Sequence, residues 1–277
     1  MATAIPITEA TPGDLPAVEA VLRAAGFGAQ VGPLLTVPLQ SPRGAILMAR
    51  SASAVDGVVA VLAFPDGATG WIGALGVRPA IRRRGLGLRL TEATIAWLHE
   101  HGAAGIGLYA TDAGLPLYER LGFTAAGLTV AWRGTARHPT TAATVRPLCD
   151  EDRDAVLALD RVATGEVRAP VLSLLSPLRG WAVEGDDSLR AFGLRTPWSA
   201  ATPVLGTDTE AGIAVMAAAA SARGGGTLIV PETNVAASDA VRSWGLTRLN
   251  HAVRMQRGAA PPHDPARQFA TFNLFWG

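Results

Sequence analysis

The clearest chemistry in the sequence lies in a short segment between Trp71 and Leu88. An apolar run, Trp71-Ile72-Gly73-Ala74-Leu75-Gly76-Val77, ends at Arg78-Pro79, where a proline has no N–H to give a strand ladder. Ile81-Arg82-Arg83-Arg84-Gly85-Leu86-Gly87-Leu88 then opens into a stretch with helical periodicity. Two glycines two apart let the backbone approach a ligand with no Cβ in the way. The free N–H groups of such a turn and the helix dipole converge on one point, which makes an anion site. Arg82, Arg83 and Arg84 add positive charge, and a pyrophosphate is the natural guest.

The elements that must position this loop follow from patterning. Strands are expected at 45–50, 58–64 and 71–77, separated by turns at Val55-Asp56-Gly57 and Pro65-Asp66-Gly67. A helix is expected from Gly85 to about His101, with Leu88, Thr91, Ile95 and Leu98 on one face. A strand near 105–110, a short helix near 115–121 and a last strand or pair at 123–133 complete the unit. Ahead of it, Thr11 as N-cap, Pro12 at the first helical position and Asp14 announce a helix presenting Leu15, Val18 and Leu22. Strands followed by a strand–helix–strand crossover indicate an α+β sheet of mixed direction.

This layout recurs. Val145-Arg146-Pro147-Leu148-Cys149-Asp150 leads into Ala155, Val156 and Leu159 much as Ile7 to Asp14 leads into the first helix, and Trp244-Gly245-Leu246 echoes Leu121-Gly122-Phe123. Strands are expected at 181–184, 189–194, 227–230 and 246–255, and helices at 213–222 and 236–244. Two copies of one unit are the simplest account: residues 1–135, a Thr/Pro/Ala-rich linker at 136–143, and residues 144–277.

Strand–Val-x-Pro-x-x-Arg-x-x-Gly-x-Gly–helix resembles the acyl-CoA-binding motif of the GNAT (GCN5-related N-acetyltransferase) superfamily, here Val77, Pro79, Arg82, Gly85 and Gly87. Leu117-Tyr118-Glu119-Arg120-Leu121-Gly122-Phe123 resembles a second signature of the same family. The resemblance implies two GNAT-like domains, each a mixed, mostly antiparallel twisted sheet flanked by helices. It implies that main-chain N–H groups of Arg83, Arg84, Gly85, Leu86, Gly87 and Leu88 hold a CoA pyrophosphate. The edge of Leu75, Gly76 and Val77 would pair with the pantetheine arm. It also implies that Tyr118 protonates the departing thiolate, and that Thr111 stands near the place of a usual asparagine. The second half resembles a degenerate copy of the bacterial tandem type: Val204 to Gly212 lacks the motif and carries Asp208 and Glu210, which would repel a pyrophosphate, and Val241 stands where a tyrosine would.

The function so implied is transfer of an acetyl or other acyl group from acetyl-CoA, or another acyl-CoA, to an amine. A different donor, a longer acyl-CoA or an aminoacyl-tRNA, and a non-catalytic CoA-binding role remain open. The net charge of +1 and the absence of a broad basic stripe argue against nucleic acid. No apolar stretch reaches the length of a membrane span, no basic leader precedes an apolar run, and a cytoplasmic protein is expected. All 24 basic residues are arginine, which excludes Schiff-base chemistry on a lysine. One cysteine, Cys149, cannot form an internal disulfide, and its position suits packing or capping better than nucleophilic catalysis. The five histidines lack zinc spacing, so no metal is expected.

No catalytic base stands out. Trp71 to Leu75 has no acid or histidine, and Glu9, Asp14, Asp112, His99 and His101 are unranked; attack by a neutral amine or proton loss through water is expected. The segment Gly26 to Pro42, read as a loop with Phe27, Gln30, Leu34 and Leu35, has few charges, which favours a small-molecule acceptor. Trp181, Trp198 and Trp244 with Arg168, Arg179 and Arg195 either line a pocket shared by the two halves or are core and surface residues. The tail Phe269 to Trp276 is too aromatic to be free and is expected to dock on the body or on a second subunit, which leaves a homodimer possible.

Overall fold

The computed structural model describes residues 5–28, 31–52, 54–64, 66, 68–259, 261 and 263–276. Gln30, Pro65 and Gly67 lie outside them. The first half runs β1 (Ile7–Glu9), α1 (Leu15–Ala25), α2 (Val31–Gln40), β2 (Gly44–Arg50), β3 (Val55–Phe64), β4 (Thr69–Val77), α3 (Leu86–Glu100), β5 (Gly105–Ala110), α4 (Leu115–Arg120) and β6 (Thr124–Gly134). The second runs β7 (Arg146–Pro147), α5 (Arg153–Thr164), α6 (Ala169–Leu172), β8 (Gly180–Glu184), β9 (Leu189–Leu194), β10 (Val204–Gly206), α7 (Thr209–Ser221), β11 (Gly226–Pro231), α8 (Val235–Ser243), β12 (Thr247–Gly258) and β13 (Gln268–Ala270).

Local chemistry sets the boundaries. Thr11 and Asp14 form a reciprocal capping box ahead of α1, closing off amides that a helix start leaves unpaired. The segment expected to be a loop contains α2. Pro33 falls in its first turn, where a missing N–H costs nothing, and Pro38 sits buried in its interior. The turn expected at Val55-Asp56-Gly57 lies earlier: Ser51 closes on Ala54, and Val55 to Gly57 belong to β3, where a bulge against Arg50 absorbs the extra residue. On α3 the buried face is Leu86, Leu90, Thr91, Thr94, Ile95 and Leu98, so Leu90 replaces Leu88 in the core. A single strand, β6, fills the stretch left open as a strand or pair.

The sheets cross the boundary between the halves. One has eight strands in the order β1-β2-β3-β4-β5-β12-β6-β11, and the other five in the order β13-β10-β9-β8-β7. β12 therefore lies between β5 and β6, antiparallel to both, and β6 lies between β12 and β11. Each half places one long strand inside the other's series. The pairing in both sheets is antiparallel except for β4 with β5, in parallel from Thr69–Gly105 to Ile72–Leu108.

The halves also share a core. Leu62, Phe64 and Trp71 pack in one cluster with Leu172, Phe192, Phe272 and Trp276. Trp71 Nε1 donates to Glu166 Oε1 at 2.7 Å, and the Arg254 guanidinium lies 5.3 Å from the Trp71 ring centre. Burial raises the Glu166 carboxyl above the usual carboxylate range, against the pull of Arg168 and the Trp71 hydrogen bond. Beside it, buried Arg168 pairs with buried Asp160. Among the described residues no helix is long and apolar enough to cross a membrane.

Candidate active site

β4 and β5 pair only as far as Ile72 and Leu108, and then diverge. Beyond that point Leu75, Gly76 and Val77 have no partner on the β5 side, so their backbone groups line a wedge. Ala74 takes a φ of 50°, and the register with β3 slips between Val58 and Ala60, a bulge that re-aims the backbone at the mouth of the wedge.

The arginine–glycine loop closes one end. Gly85 caps α3 with a φ of 79° and no side-chain cap, and a Cβ placed there would meet nothing within 4 Å. The Arg82 N–H reaches Pro79 O at 3.3 Å, and the next N–H to reach a protein acceptor is that of Arg89, on Gly85 O at 3.1 Å. Among the described residues, the amides from Arg83 to Leu88 have no protein partner, a run of aligned donors at the positive end of a helix. Arg82 fastens the loop: Nε donates to Val77 O at 3.1 Å and Nη2 to Ala25 O at 3.0 Å. Arg83 and Arg84 are exposed. Leu86 is buried and Leu88 half-buried, so their side chains face the body of the protein and leave the amides outward.

A cavity of about 590 Å³ passes through the wedge. Leu75, Thr111, Leu117 and Tyr118 line it on the α3 side, where Leu75 and Tyr118 join the α3 core. Tyr118 packs edge-on against Phe123, 5.9 Å between ring centres. Its hydroxyl makes no hydrogen bond to a described residue, and burial pushes the phenol up to about 12. It is a neutral donor throughout the physiological range.

The exchanged strand adds residues that the sequence did not point to: Asn250, His251 and Ala252 of β12 line the same cavity. His251 Nε2 lies 3.3 Å from Asp112 Oδ1. Of the candidate bases, Asp112 alone stands here. Glu9 accepts from Trp97 Nε1 at 2.7 Å, Asp14 serves the α1 cap, and His99 and His101 bond to carbonyls at the end of α3, His101 stacking on Trp97. His251 escaped notice because its neighbours, Asp112 just past β5 and Val130 of β6, are far away in sequence.

The corresponding places in the second half are filled by the chain itself. Asp208 caps α7, accepting from Ala211 N at 2.9 Å, and Arg190 pairs with Asp208 and Glu210. A Cβ on Gly212 would lie 2.3 Å from the Phe269 ring. β10 and β11 do not pair. A single parallel bridge joins Ala201 to Thr227, and beyond it β13 occupies the gap, hydrogen-bonded to β10, with Thr271 N donating to Ile229 O at 2.8 Å. Buried Asn234, which caps α8, donates to Gln268 O at 3.1 Å and so holds this insert.

The aromatic tail docks as its composition demands: Phe269, Phe272 and Trp276 are buried within the chain. The tryptophans and arginines expected either to share a pocket or to be core and surface separate. Trp198 and Trp244 are core, and Arg168 is in its buried ion pair. Trp181, Arg179 and Arg195 line an open depression with Cys149, away from the wedge. Hydrogen bonds to Glu151 and Asp152 push the Cys149 thiol up, which disfavours the thiolate a nucleophile requires. Among the described residues no group of His, Cys, Asp and Glu is placed to hold a metal ion.

Comparisons with known proteins show the family and the fold. Residues 30–123 match the model of the acetyltransferase (GNAT) family, and residues 156–270 match a second, described as an acetyltransferase (GNAT) domain. A presumed acetyltransferase from Pyrococcus horikoshii aligns over 100% of this chain and 97% of its own, with a TM-score of 0.87 at 21% identity. A GCN5-related N-acetyltransferase from Sphaerobacter thermophilus aligns over 95% and 98%, with a TM-score of 0.63 at 15% identity. Another from Anabaena variabilis ATCC 29413 covers 91% and 72%, with a TM-score of 0.59 at 15% identity. These likenesses are of fold. No curated protein matches the chain.

Proposed function

Because the chain belongs to the GNAT acetyltransferase family and carries two such domains in tandem, we propose that it is an N-acyltransferase working from acetyl-CoA in its first half alone. The observation that carries this reading is the run of amides from Arg83 to Leu88 without protein acceptors, set at the end of an unpaired strand edge. The CoA pyrophosphate lies on those amides, with Arg83 and Arg84 beside it and Arg82 shaping the loop. The pantetheine arm takes the strand place left open beside Leu75, Gly76 and Val77, and passes Thr111.

The thioester then lies at the Ala74 bulge. The acceptor nitrogen attacks its carbonyl carbon, the N–C bond forms and the negative charge collects on oxygen, where strand amides stabilise it. The C–S bond breaks, Tyr118 gives its proton to the leaving thiolate sulfur, and the amine proton passes to water. Neutrality of Tyr118 over the working pH range supports this role. The second half completes the fold through β12 and has no CoA site of its own.

Titration calorimetry with acetyl-CoA tests the reading. Saturable binding at one per chain, lost in Gly85→Glu, is the expected result. Absence of binding by the wild-type protein overturns it and turns attention to other donors.

A further inference from the structure

The two sides of the cavity differ in chemistry. On the side opposite Tyr118, its wall comes from Phe27, Val31 and Leu34 of the α1–α2 region and from Leu274 and Phe275 of the tail. The strand alternation of β4 divides them: Leu75 packs with α3, whereas Ala74 packs with α1. Gly73 makes room for the tail, since a Cβ there would lie 3.0 Å from Phe275 Cβ and from its carbonyl oxygen. Phe275 in turn meets Phe27, ring centres 5.8 Å apart and tilted by 38°. Asn273 fixes this approach, its Oδ1 accepting from Phe275 N at 2.7 Å and Trp276 N at 3.0 Å.

Among the described residues this wall is uncharged. Neither residues 24–42 nor residues 269–277 contain an Asp, Glu, Arg or Lys, and the polar side chains that described residues place on this side of the cavity are Tyr109 and Asn250. An acceptor bearing a carboxylate, a phosphate or a second ammonium would leave water for a surface with no ion partner, which is strongly unfavourable. An amine on an apolar body loses little there, and burial favours its neutral, nucleophilic form over the ammonium. That removes the need for a dedicated base.

We propose that the acceptor is a primary monoamine on an apolar or aromatic body, selected by Phe275 of the C-terminal tail together with Phe27. This rests on the acyl-CoA reading of the same cavity. It gives the tail a role in the reaction: the second half shapes the acceptor side of the first.

The test is thiol release from acetyl-CoA with 2-phenylethylamine and isoamylamine against spermidine, kanamycin, L-glutamate and a lysine peptide. The apolar amines are expected to exceed the charged ones at least ten-fold in kcat/KM. Phe275→Ala is expected to raise KM for 2-phenylethylamine about ten-fold while acetyl-CoA affinity stays unchanged, and Phe275→Asp to move preference toward spermidine. Phe27→Ala, which leaves the tail intact, is expected to act in the same direction as Phe275→Ala. A charged acceptor used best by the wild type overturns the proposal. So does selectivity unchanged in both alanine variants, or failure of the apolar amines to react with or bind the CoA-loaded protein. Loss of acetyl-CoA binding itself, measured in parallel by calorimetry, would instead remove the underlying reading and this inference with it.

Discussion

The Asp208 carboxylate accepts a hydrogen bond from the Ala211 amide at 2.9 Å, so the N-terminus of α7 is capped by its own chain where that of α3 is left open. Asp208→Ala is expected to lower stability by about 1 kcal/mol, the usual worth of such a cap. It should leave the acetyl-CoA stoichiometry at one, because Phe269 still fills the space at Gly212 and β13 the gap beside it. Chemical denaturation and calorimetry on one preparation check both halves of this statement.

Gly85 sits at a positive φ with open space above it. A glutamate there adds backbone strain of about 1 kcal/mol or more and places a carboxylate where phosphate charge is expected. Like charges so juxtaposed cost several kcal/mol, so Gly85→Glu should weaken acetyl-CoA binding by about a hundred-fold or more. Gly85→Ala separates strain from charge, and should retain most of the affinity.

Tyr118→Phe keeps the ring against Phe123 and removes the proton donor. Acid catalysis of this kind is worth about a hundred-fold or more. The variant should lose that much in kcat with an unchanged acetyl-CoA dissociation constant. With the phenol pushed up to about 12, the wild-type rate should not fall from its ionisation below about pH 10. An unaltered kcat in the variant would remove Tyr118 from its role.

Groups held below their ordinary values make stability fall with acid, His263 in an upper range and Asp152, with Asp14, Asp150, Glu151 and Asp208, in a lower one. Burial, with Arg254 nearby, lowers His263 to about 4, so the folded protein holds it neutral while the unfolded chain protonates it near the ordinary histidine value of 6.5. Its contribution is present above pH 6.5 and is lost as pH falls toward about 4. Asp152, lowered to about 2 chiefly by its hydrogen bonds from Arg146, contributes above its unfolded value of 3.8 and is lost below it. Thermal midpoints should therefore drop in two stages, and His263→Gln should flatten only the upper one.

Much of the site was legible because backbone chemistry demands particular residue types. The φ of 79° at Gly85 favours glycine, proline marks the end of β4 at Pro79, and Thr11 with Asp14 names its own cap. The tail's aromatic content likewise required a seat. What local pattern could not give was partnership. α2 was hidden by Pro33 and Pro38, which are tolerated by position and by packing. A turn is expected at Val55-Asp56-Gly57 because Asp and Gly favour turns, yet Gly57 is needed inside β3, where a Cβ would lie 2.8 Å from Leu90. β12 is plain as a strand, but nothing along its length says that its neighbours are β5 and β6, so His251 could not be assigned to the cavity.

The interleaving of the long strands has a consequence for biosynthesis. β6 ends at Gly134, and the strand that must enter between it and β5 begins only at Thr247. Until the ribosome has delivered that later segment, the nascent first half holds two open sheet edges, the kind of surface that recruits other chains. Closure then depends on contacts far apart in sequence, which slows folding. The emerging polypeptide should be a client for chaperones throughout this interval, and its earliest lobe should be among the last parts to become protease-resistant.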